Sequence, residues 1–408
     1  MKWIGRVLAA FLLVVLGVAA FATWVFEPWA ERRPMRTWAE TLKVAALGES
    51  DREGLADAFR NWDRDFPVGV LNAAPRPHGF ERALAELDVQ YGFEGESRSL
   101  SAYLERAKVE GLLVLHGGRI VFEEYPRRTT PESRYHLWSA SKSFTGTLVG
   151  MALHEGVIES LDDPVEKYAA QYAGTAYGET AIRHVMMMSS GVDFFHFKGF
   201  PDRNWMYLRI FRRGQNLDDF AAELGRRVPG GTDFNYLATD THVLSGVLGA
   251  AYGQPYLEIV QEKLWDRLGI GGEAIWARHA DGAEGVPFGH CCLATRLIDF
   301  AHLGEFYLRD GVWNGMRLVP QGWTQTAGVP SAPFQEPTDE RSGYAMQFWV
   351  PPAYDGEFYG AGAFGQYVWV DTRRGVVIAQ FAAQAPGDID ERERDAAFRA
   401  VAASVGSH

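Results

Sequence analysis

The sequence predicts an α+β fold in which segments from both ends of the main domain share one sheet. Two strand-like runs, at 111–116 and 119–125, flank Gly117-Gly118 and indicate a hairpin. Further strand patterns follow towards the end of the chain, at 342–350, 357–359, 366–370 and 375–381. The residues between these two groups contain helical patterns. Strands on both sides of a helical middle are typical of this fold class.

Helical patterns account for much of the remaining chain. The first is a run of small and aliphatic residues that begins near Ser139 and continues to about His154. Further helical patterns lie near 218–224, 241–251, 257–267 and 388–405. The residues from about 27 to 100 form a polar, partly helical lead-in. The chain therefore divides into an N-terminal segment (1–30), a lead-in region (31–104) and a main domain (105–408).

The N-terminal segment differs in composition from the rest. The run at 7–26 is uncharged and has about the 20 residues that a helix needs to span a bilayer core. A cleaved signal peptide is the alternative, with a cleavage site at 20–22. Because the run continues to Trp24 and Phe26, we favour an uncleaved membrane anchor. The main domain would then lie outside the cytoplasm in the periplasm, or be secreted if the segment is cleaved.

Composition excludes some classes of function. The chain has 408 residues, 40 basic and 52 acidic side chains and a net charge of −12, which argues against a nucleic-acid-binding surface. Cys291 and Cys292 are adjacent. Adjacent cysteines rarely satisfy the geometry of a disulfide, so we expect two buried free thiols. No Cys/His cluster has the spacing of metal ligands, and the sequence predicts no metal and no cofactor.

The sequence Ser139-Ala140-Ser141-Lys142 carries the first candidate site. Residues i and i+3 lie on one face of a helix, which would bring the lysine amine within reach of the Ser139 hydroxyl. A serine hydroxyl is a weak nucleophile until a base takes its proton. Burial lowers the pKa of a lysine and suits it for that role. The alternative is a helix cap followed by a solvated lysine.

Two further segments carry candidate residues. Tyr236 precedes a helical pattern that we expect Thr239 or Asp240 to cap, and its phenol is suited to proton transfer. The alternative is an aromatic residue packed on that helix. The second segment, at 358–371, contains Gly360, Gly362 and Gly365. Glycines allow a ligand to approach the backbone, and free amides of an edge strand stabilise an oxyanion. A glycine-rich hairpin without a ligand is the alternative.

Together these three segments resemble the penicillin-recognising serine hydrolases, and most of all the branch related to class C β-lactamases. That branch includes esterases, D-amino-acid peptidases and 6-aminohexanoate-dimer hydrolases. The resemblance covers roughly residues 105–385 and extends to connecting segments at 161–168, 184–194 and 264–270. It implies a β-lactamase/transpeptidase-like fold, in which an antiparallel sheet is flanked by helices and accompanied by an all-helical region, with the site between them.

The resemblance assigns roles to individual residues. It implies that Ser139 is the acylated nucleophile, Lys142 its base and Tyr236 a proton relay. The oxyanion would be held by the backbone amides of Ser139 and Ala363.

The same resemblance implies substrate contacts at Gly360, Gly362 and Gln366. The chain departs from the family's pattern at two positions, since Ala238 replaces an asparagine and Gly360 replaces a cation. The cation helps to hold the carboxylate of a β-lactam, so its absence argues against β-lactamase activity. Glu166 lies in a loop-like phrase and receives no role.

These observations predict a membrane-anchored serine hydrolase that cleaves a small ester or amide through an acyl-enzyme. Two alternatives remain open. A peptidoglycan-directed D-amino-acid carboxypeptidase fits the expected location but lacks the cation at position 360. An inactive penicillin-binding-like receptor fits the fold, but Ser139, Lys142 and Tyr236 are all present.

Overall fold

A computed structural model describes residues 52–64, 66–194, 206, 209–210, 214–282, 284–385 and 387–406. The predicted anchor at 7–26 lies outside these residues. Within the part of the chain that is described, no helix has both the length and the apolar character needed to cross a membrane. The anchor therefore stays a prediction.

The strands of the described residues vary from two to eight residues in length. In chain order they are β1 (Val68–Leu71), β2 (Glu81–Arg82), β3 (Gln90–Phe93), β4 (Glu96–Ser99), β5 (Val109–His116), β6 (Arg119–Glu124), β7 (Tyr135–His136), β8 (Ala274–Ala277), β9 (Leu293–Thr295), β10 (Val312–Trp313), β11 (Met316–Arg317), β12 (Gly343–Tyr344), β13 (Trp349–Val350), β14 (Glu357–Gly362), β15 (Gln366–Asp371) and β16 (Val376–Ala382).

The α-helices of the same residues include three long ones in the middle of the chain and one at its end. They are α1 (Arg52–Arg60), α2 (Leu100–Arg106), α3 (Ser141–His154), α4 (Ile182–Met186), α5 (Leu217–Ala222), α6 (Ala238–Tyr252), α7 (Tyr256–Ile259), α8 (Asp266–Leu268), α9 (Leu297–Leu308), α10 (Trp323–Gly328) and α11 (Glu391–Val405). A π-helical turn, Val260–Trp265, joins α7 to α8.

An eight-stranded sheet forms the centre of the fold, in the order β12-β13-β14-β15-β16-β5-β6-β2. Its neighbours are antiparallel except for the short pair of β2 and β6, which is parallel. The hairpin β5–β6 thus shares one sheet with the strands near the end of the chain, because β5 pairs with β16. This arrangement, with helices around it, confirms the predicted α+β, β-lactamase/transpeptidase-like fold.

Both faces of this sheet are covered, which explains why residues 112–115 of β5 are all apolar. Leu113 and Leu115 point into one core with helices α3 and α9, whereas Leu112 and Val114 point into a second core with α2 and α11. Successive side chains of a strand face opposite sides, so a strand that is buried on both sides has no polar alternation.

The prediction of one continuous strand at 342–350 is wrong. The structure has two short strands, β12 and β13, which pair with each other as a hairpin. The chain reverses between them, where Ala345 donates a backbone hydrogen bond to Phe348 and Gln347 has a φ of +65°. A residue in the left-handed region cannot continue a strand, and the run therefore divides.

A second sheet leads into the candidate site. It has four strands in the order β1-β8-β9-β7, and β7 ends directly before Leu137. Strand β1 belongs to the lead-in region, and Leu55, Phe59 and Phe80 of that region are buried in the same core as helix α3. The boundary between residues 104 and 105 stays a prediction.

The prediction of two free thiols is wrong, because Cys291 and Cys292 form a disulfide with each other. Their Cα atoms are 3.7 Å apart, which is closer than the usual range of about 4.4–6.8 Å. The backbone accommodates the bond through a left-handed conformation at Cys292, where φ is +80°. Few non-glycine residues adopt this conformation, and sequence spacing gave no sign of it.

Candidate active site

Ser139 lies in a short 3₁₀ turn, Trp138–Ala140, that runs directly into helix α3. The turn follows strand β7, and Trp138 within it has a φ of +50°. Ser139 is half-buried, while the first twelve residues of α3 behind it are buried. The structure therefore presents this serine at the boundary between the core and the surface, as a nucleophile requires.

Lys142 lies beside Ser139, and its side chain is shielded from solvent. Its Nζ is 3.1 Å from Ser139 Oγ and donates a hydrogen bond of 2.6 Å to the backbone oxygen of His290. The residue is 2% exposed, and desolvation lowers the pKa of the amine to about 7. The lysine is not solvated, contrary to the alternative reading. A neutral amine this close to the hydroxyl can accept its proton.

Ser141 is the nearest competing hydroxyl, and its hydrogen bonds are made within the protein. Its Oγ donates to the backbone oxygen of Trp138 at 2.7 Å and accepts from the backbone amide of Leu293 at 3.1 Å. The residue is fully buried. Ser141 therefore ties the nucleophile turn to strand β9, and Ser139 is left as the hydroxyl that faces the surface.

Tyr236 lies next to the Lys142 amine. The Lys142 Nζ is 5.1 Å from the centre of the Tyr236 ring, a distance at which a cation and an aromatic face attract each other. The ring stacks on Trp349 with centroids 5.3 Å apart and meets Tyr344 edge-on at 5.9 Å. Tyr236 thus has both the predicted proximity to the lysine and the aromatic packing that formed the alternative reading.

The predicted caps of the helix after Tyr236 are wrong. Helix α6 begins at Ala238, so Thr239 and Asp240 lie inside its first turn, and no side chain caps it. Leu237 is the extended residue before the helix, and its backbone amide donates to the sulfur of Met188. Because the chain is buried here, Thr239 and Asp240 make contacts with the core instead of with the helix end.

Asp240 is a buried carboxyl that the sequence analysis gave no role beyond capping. Its Oδ1 accepts from the hydroxyls of Tyr177 at 2.6 Å and Ser190 at 2.8 Å, while its Oδ2 is buried without a hydrogen-bond partner among the described residues. Burial raises the pKa of the carboxyl to about 7. Local sequence gave little signal for it, because Thr239, Thr241 and His242 around it are polar as well. Asp240 connects the helix after Tyr236 to two loops.

The glycines of β14 face the nucleophile segment of the protein itself. A Cβ on Gly362 would lie 1.9 Å from the backbone oxygen of Leu137, and one on Gly360 would lie 2.9 Å from Ser143 Oγ. The missing side chains therefore allow β14 to pack against the turn and the start of α3. The prediction that these glycines make room for a ligand is therefore wrong on the side of β14 that faces Leu137 and Ser143, because the protein itself fills that space. Their backbone contacts to substrate stay a prediction.

The prediction that Gln366 contacts substrate is corrected by its hydrogen bonds. The side chain is fully buried, and its Nε2 donates to the backbone oxygens of Ala363, Phe364 and Ala382, at 3.2, 3.0 and 2.7 Å. Its Oε1 accepts from the backbone amide of Ala382 at 3.2 Å. The whole amide group is used within the protein, so Gln366 holds the turn between β14 and β15.

That turn places Ala363 near the nucleophile. Ala363 is exposed and follows Gly362 directly. The next residue, Phe364, packs on Trp138 with ring centroids 5.2 Å apart. The backbone amides of Ser139 and Ala363 therefore belong to neighbouring turns, and they stay the predicted oxyanion donors.

Aromatic residues of the lead-in region support the nucleophile turn, and the sequence analysis missed them. Phe59 of α1 contacts Trp138 and Phe364, with ring centroids 5.5 and 5.3 Å apart. Trp62 stacks on His136 at 3.8 Å. The aromatic residues at 59, 62 and 66 were a signal of core packing, but their partner was not identifiable from local sequence.

Within the described parts of the chain, no group of three or more histidine, cysteine, aspartate or glutamate side chains has the arrangement of a metal site.

Residues 97–403 match the family model described as Beta-lactamase. The chain belongs to this family. The match covers well over half of the chain and confirms the resemblance to the penicillin-recognising serine hydrolases. The protein is accordingly an enzyme of a hydrolase family.

A relative of known name and two solved structures are also similar to this chain. The 6-aminohexanoate-dimer hydrolase of Paenarthrobacter ureafaciens is 29% identical over 296 residues, which are 69% of this chain and 74% of the relative. The structure of a putative 6-aminohexanoate-dimer hydrolase from Bacillus anthracis has a TM-score of 0.74 at 20% identity and covers 88% of this chain and 95% of that one. A class C β-lactamase from Rhodobacter sphaeroides has a TM-score of 0.52 at 16% identity, with 75% and 97% covered.

Proposed function

We propose that the protein is a serine hydrolase that cleaves a small ester or amide through an acyl-enzyme on Ser139. The observation that carries the proposal is the pair of Ser139 and Lys142. The hydroxyl is half-exposed, the amine is 3.1 Å away, and burial lowers the pKa of the amine to about 7. A substantial fraction of the lysine is then neutral at physiological pH and able to act as a base.

Acylation follows from this geometry. The Lys142 amine takes the proton of the Ser139 hydroxyl as Oγ forms a bond to the carbonyl carbon of the substrate. The carbonyl oxygen becomes an oxyanion, which accepts hydrogen bonds from the backbone amides of Ser139 and Ala363. The tetrahedral intermediate then expels the amine or alcohol, which receives a proton from Lys142 by way of Tyr236. In deacylation, Lys142 takes a proton from water as the water oxygen forms a bond to the acyl carbon. The Ser139 oxygen then leaves and receives a proton, which releases the acid.

The first substrate to test is a short linear amide. A 29% identical relative is named as a 6-aminohexanoate-dimer hydrolase, whose substrate is an amide of this class. Position 360 argues against a β-lactam, since it has a glycine where a cation would hold the carboxylate. A Cβ there would lie 2.9 Å from Ser143 Oγ, so a longer side chain would require β14 or α3 to shift.

A substrate panel tests the proposal. The panel contains p-nitrophenyl esters, 6-aminohexanoate dimer, D-peptides and nitrocefin, each assayed with wild-type protein, Ser139→Ala and Ser141→Ala. We expect turnover of an ester or amide that Ser139→Ala lowers by several orders of magnitude. Ser141→Ala is the comparison at the neighbouring hydroxyl and should lower turnover far less than Ser139→Ala, because it removes a hydroxyl that supports the turn and leaves the nucleophile in place. Wild-type rates in Ser139→Ala would contradict the proposal, and nitrocefin turnover as fast as the best ester would contradict the choice of substrate.

The location of the enzyme is part of the same proposal. Residues 7–26 form an uncharged run of the length that spans a bilayer. An enzyme anchored by this run would have its catalytic domain outside the cytoplasm. Intact mass and N-terminal sequencing of the mature protein decide between an anchor and a signal peptide, since a chain that begins at Thr23 has lost the segment.

A further inference from the structure

The segment at 288–293 runs along the nucleophile helix and positions its base. The backbone oxygen of His290 accepts the 2.6 Å hydrogen bond from Lys142 Nζ. One residue earlier, the backbone oxygen of Gly289 accepts a hydrogen bond of 2.6 Å from the Thr145 hydroxyl. These two bonds join α3 to the segment at positions three residues apart, so a movement of the segment changes the surroundings of the lysine.

The other end of the segment is joined to the nucleophile turn. The backbone amide of Leu293 donates to Ser141 Oγ at 3.1 Å, and its backbone oxygen accepts from the amide of Leu137 at 2.8 Å. Leu137 is two residues before Ser139. The segment therefore holds both the base and the turn that carries the nucleophile.

The Cys291–Cys292 disulfide lies in the middle of this segment, directly after His290. Cys292 has a φ of +80°, a conformation that is unfavourable for a residue with a side chain and persists where its surroundings impose it. The bond between the two side chains is one such constraint. Two backbone hydrogen bonds are others, from Cys291 to Phe288 at 3.1 Å and from Ala277 to Cys292 at 3.0 Å.

We propose that the Cys291–Cys292 disulfide is a positioning element for Lys142, and that its reduction by a dithiol reversibly lowers the activity of the enzyme. The inference rests on the proposed function. Reduction breaks the sulfur–sulfur bond with two electrons and two protons from the dithiol, which is itself oxidised to a disulfide, and two thiols form. Only the two backbone hydrogen bonds then hold Cys292 at a positive φ, and its return to a negative φ moves the neighbouring carbonyl of His290.

The consequence for the base is a change of solvation. With the His290 carbonyl displaced, water reaches the amine and the desolvation that lowers the pKa of Lys142 diminishes. A rise of one unit in that pKa lowers the neutral fraction about tenfold at acid pH. The loss is expressed in kcat, because the base acts in the chemical step, while substrate binding changes little. The sulfurs belong to residues that are 7 and 6% exposed, so a small dithiol is the appropriate reagent.

The test compares oxidised and reduced wild-type protein. Dithiothreitol is added and removed, thiols are counted by alkylation and intact mass, and kcat, KM and the pH profile are measured in each state. We expect no alkylated thiol before reduction and two after it. Reduction should lower kcat at pH 7 about fivefold, leave KM within about twofold and move the acid limb of the profile about one unit higher. Reoxidation should restore the activity.

A spectroscopic readout keeps the test independent of turnover. The ¹³Cε signal of Lys142 in labelled protein, assigned by its loss in Lys142→Met, reports the pKa of this amine directly. We expect that pKa to rise on reduction. Cys291→Ser is the matched variant, which should resemble the reduced state and be unaffected by dithiol. If it does not fold, the reduced wild-type protein still gives the result.

Three outcomes overturn the proposal. Two alkylated thiols in the untreated protein would show that the bond is absent. A pKa of Lys142 that is equal in the oxidised and reduced states would remove the link to the base. An oxidised enzyme with Ser139-dependent turnover that complete reduction does not change would refute the positioning role while the proposed function stands. Absence of Ser139-dependent turnover in the oxidised enzyme would instead refute the proposed function.

Discussion

Lys142 is a fully buried amine, and we predict that Lys142→Met makes the stability of the protein less dependent on pH. Methionine has a similar length and no charge. Burial lowers the pKa of the lysine from 10.5 to about 7 in the folded protein. The unfolded chain therefore binds more protons than the folded protein between these two values. In that window the stability of the wild-type protein rises with pH, and below about pH 7 the full cost of burying the amine is present.

The size of the effect follows from the shift. At about 1.4 kcal/mol per pKa unit, the full cost is roughly 5 kcal/mol, and the part recovered between pH 7 and pH 9 is about 2 kcal/mol. Lys142→Met lacks this contribution at every pH. At pH 7 the variant should therefore gain free energy of unfolding relative to wild-type. The lost hydrogen bond to His290 offsets this gain by an amount that does not depend on pH. The gain should shrink by about 2 kcal/mol by pH 9.

Urea unfolding at pH 7, 8 and 9 measures this difference. The free energies of unfolding of wild-type and Lys142→Met are compared at each pH, so that other titrating groups, which are present in both proteins, cancel. Ser139→Ala is the matched control, since it removes the neighbouring hydroxyl and keeps the lysine, and it should follow the pH dependence of wild-type. A difference between wild-type and Lys142→Met that stays constant from pH 7 to pH 9 would refute the lowered pKa and with it the case for a neutral base.

Three other substitutions test separate parts of the account. Tyr236→Phe should lower kcat about 100-fold with little change in KM, because a proton relay acts in the transition state, and an unchanged kcat would make the residue a packing residue. In wild-type protein, the raised pKa of Asp240, about 7, makes the free energy of unfolding fall as the pH rises from 5 to 8, because the buried carboxyl then loses its proton. Asp240→Asn lacks this loss, so its free energy of unfolding should rise by about 2–3 kcal/mol relative to wild-type over the same range. A difference in urea unfolding that does not change with pH would contradict this. Gly362→Ala should lower kcat/KM at least about tenfold, because its Cβ would lie 1.9 Å from the Leu137 oxygen. Gly79→Ala, where a Cβ meets nothing within 4 Å, is the control that should keep wild-type kinetics.

The features that local sequence predicted are those that depend on short spacing. The hairpin β5–β6 follows from two apolar runs around a Gly-Gly turn. The proximity of Lys142 to Ser139 follows from a separation of three residues, which holds through the 3₁₀ turn as it would in a helix. Family resemblance then added the β-lactamase/transpeptidase-like architecture, which no local pattern specifies.

The features that were missed depend on contacts between distant residues. Gln366 was expected to meet substrate, but Ala382, on another strand, satisfies both ends of its amide. Phe59 reaches the nucleophile turn from a helix about 80 residues earlier in the chain, a partnership without a sequence signal. The expectation for Cys291 and Cys292 failed because the backbone at Cys292 adopts a left-handed conformation that accommodates the bond, and the spacing of the cysteines gives no sign of that conformation.

Labelling with a fluorophosphonate tests whether Ser139 is the nucleophile. The reagent forms a covalent adduct with an activated serine, and fragmentation of the modified peptide distinguishes Ser139 from Ser141. We predict one adduct per chain at Ser139 in wild-type and in Ser141→Ala, and none in Ser139→Ala. An adduct on Ser141, or undiminished labelling of Ser139→Ala, would contradict the claim.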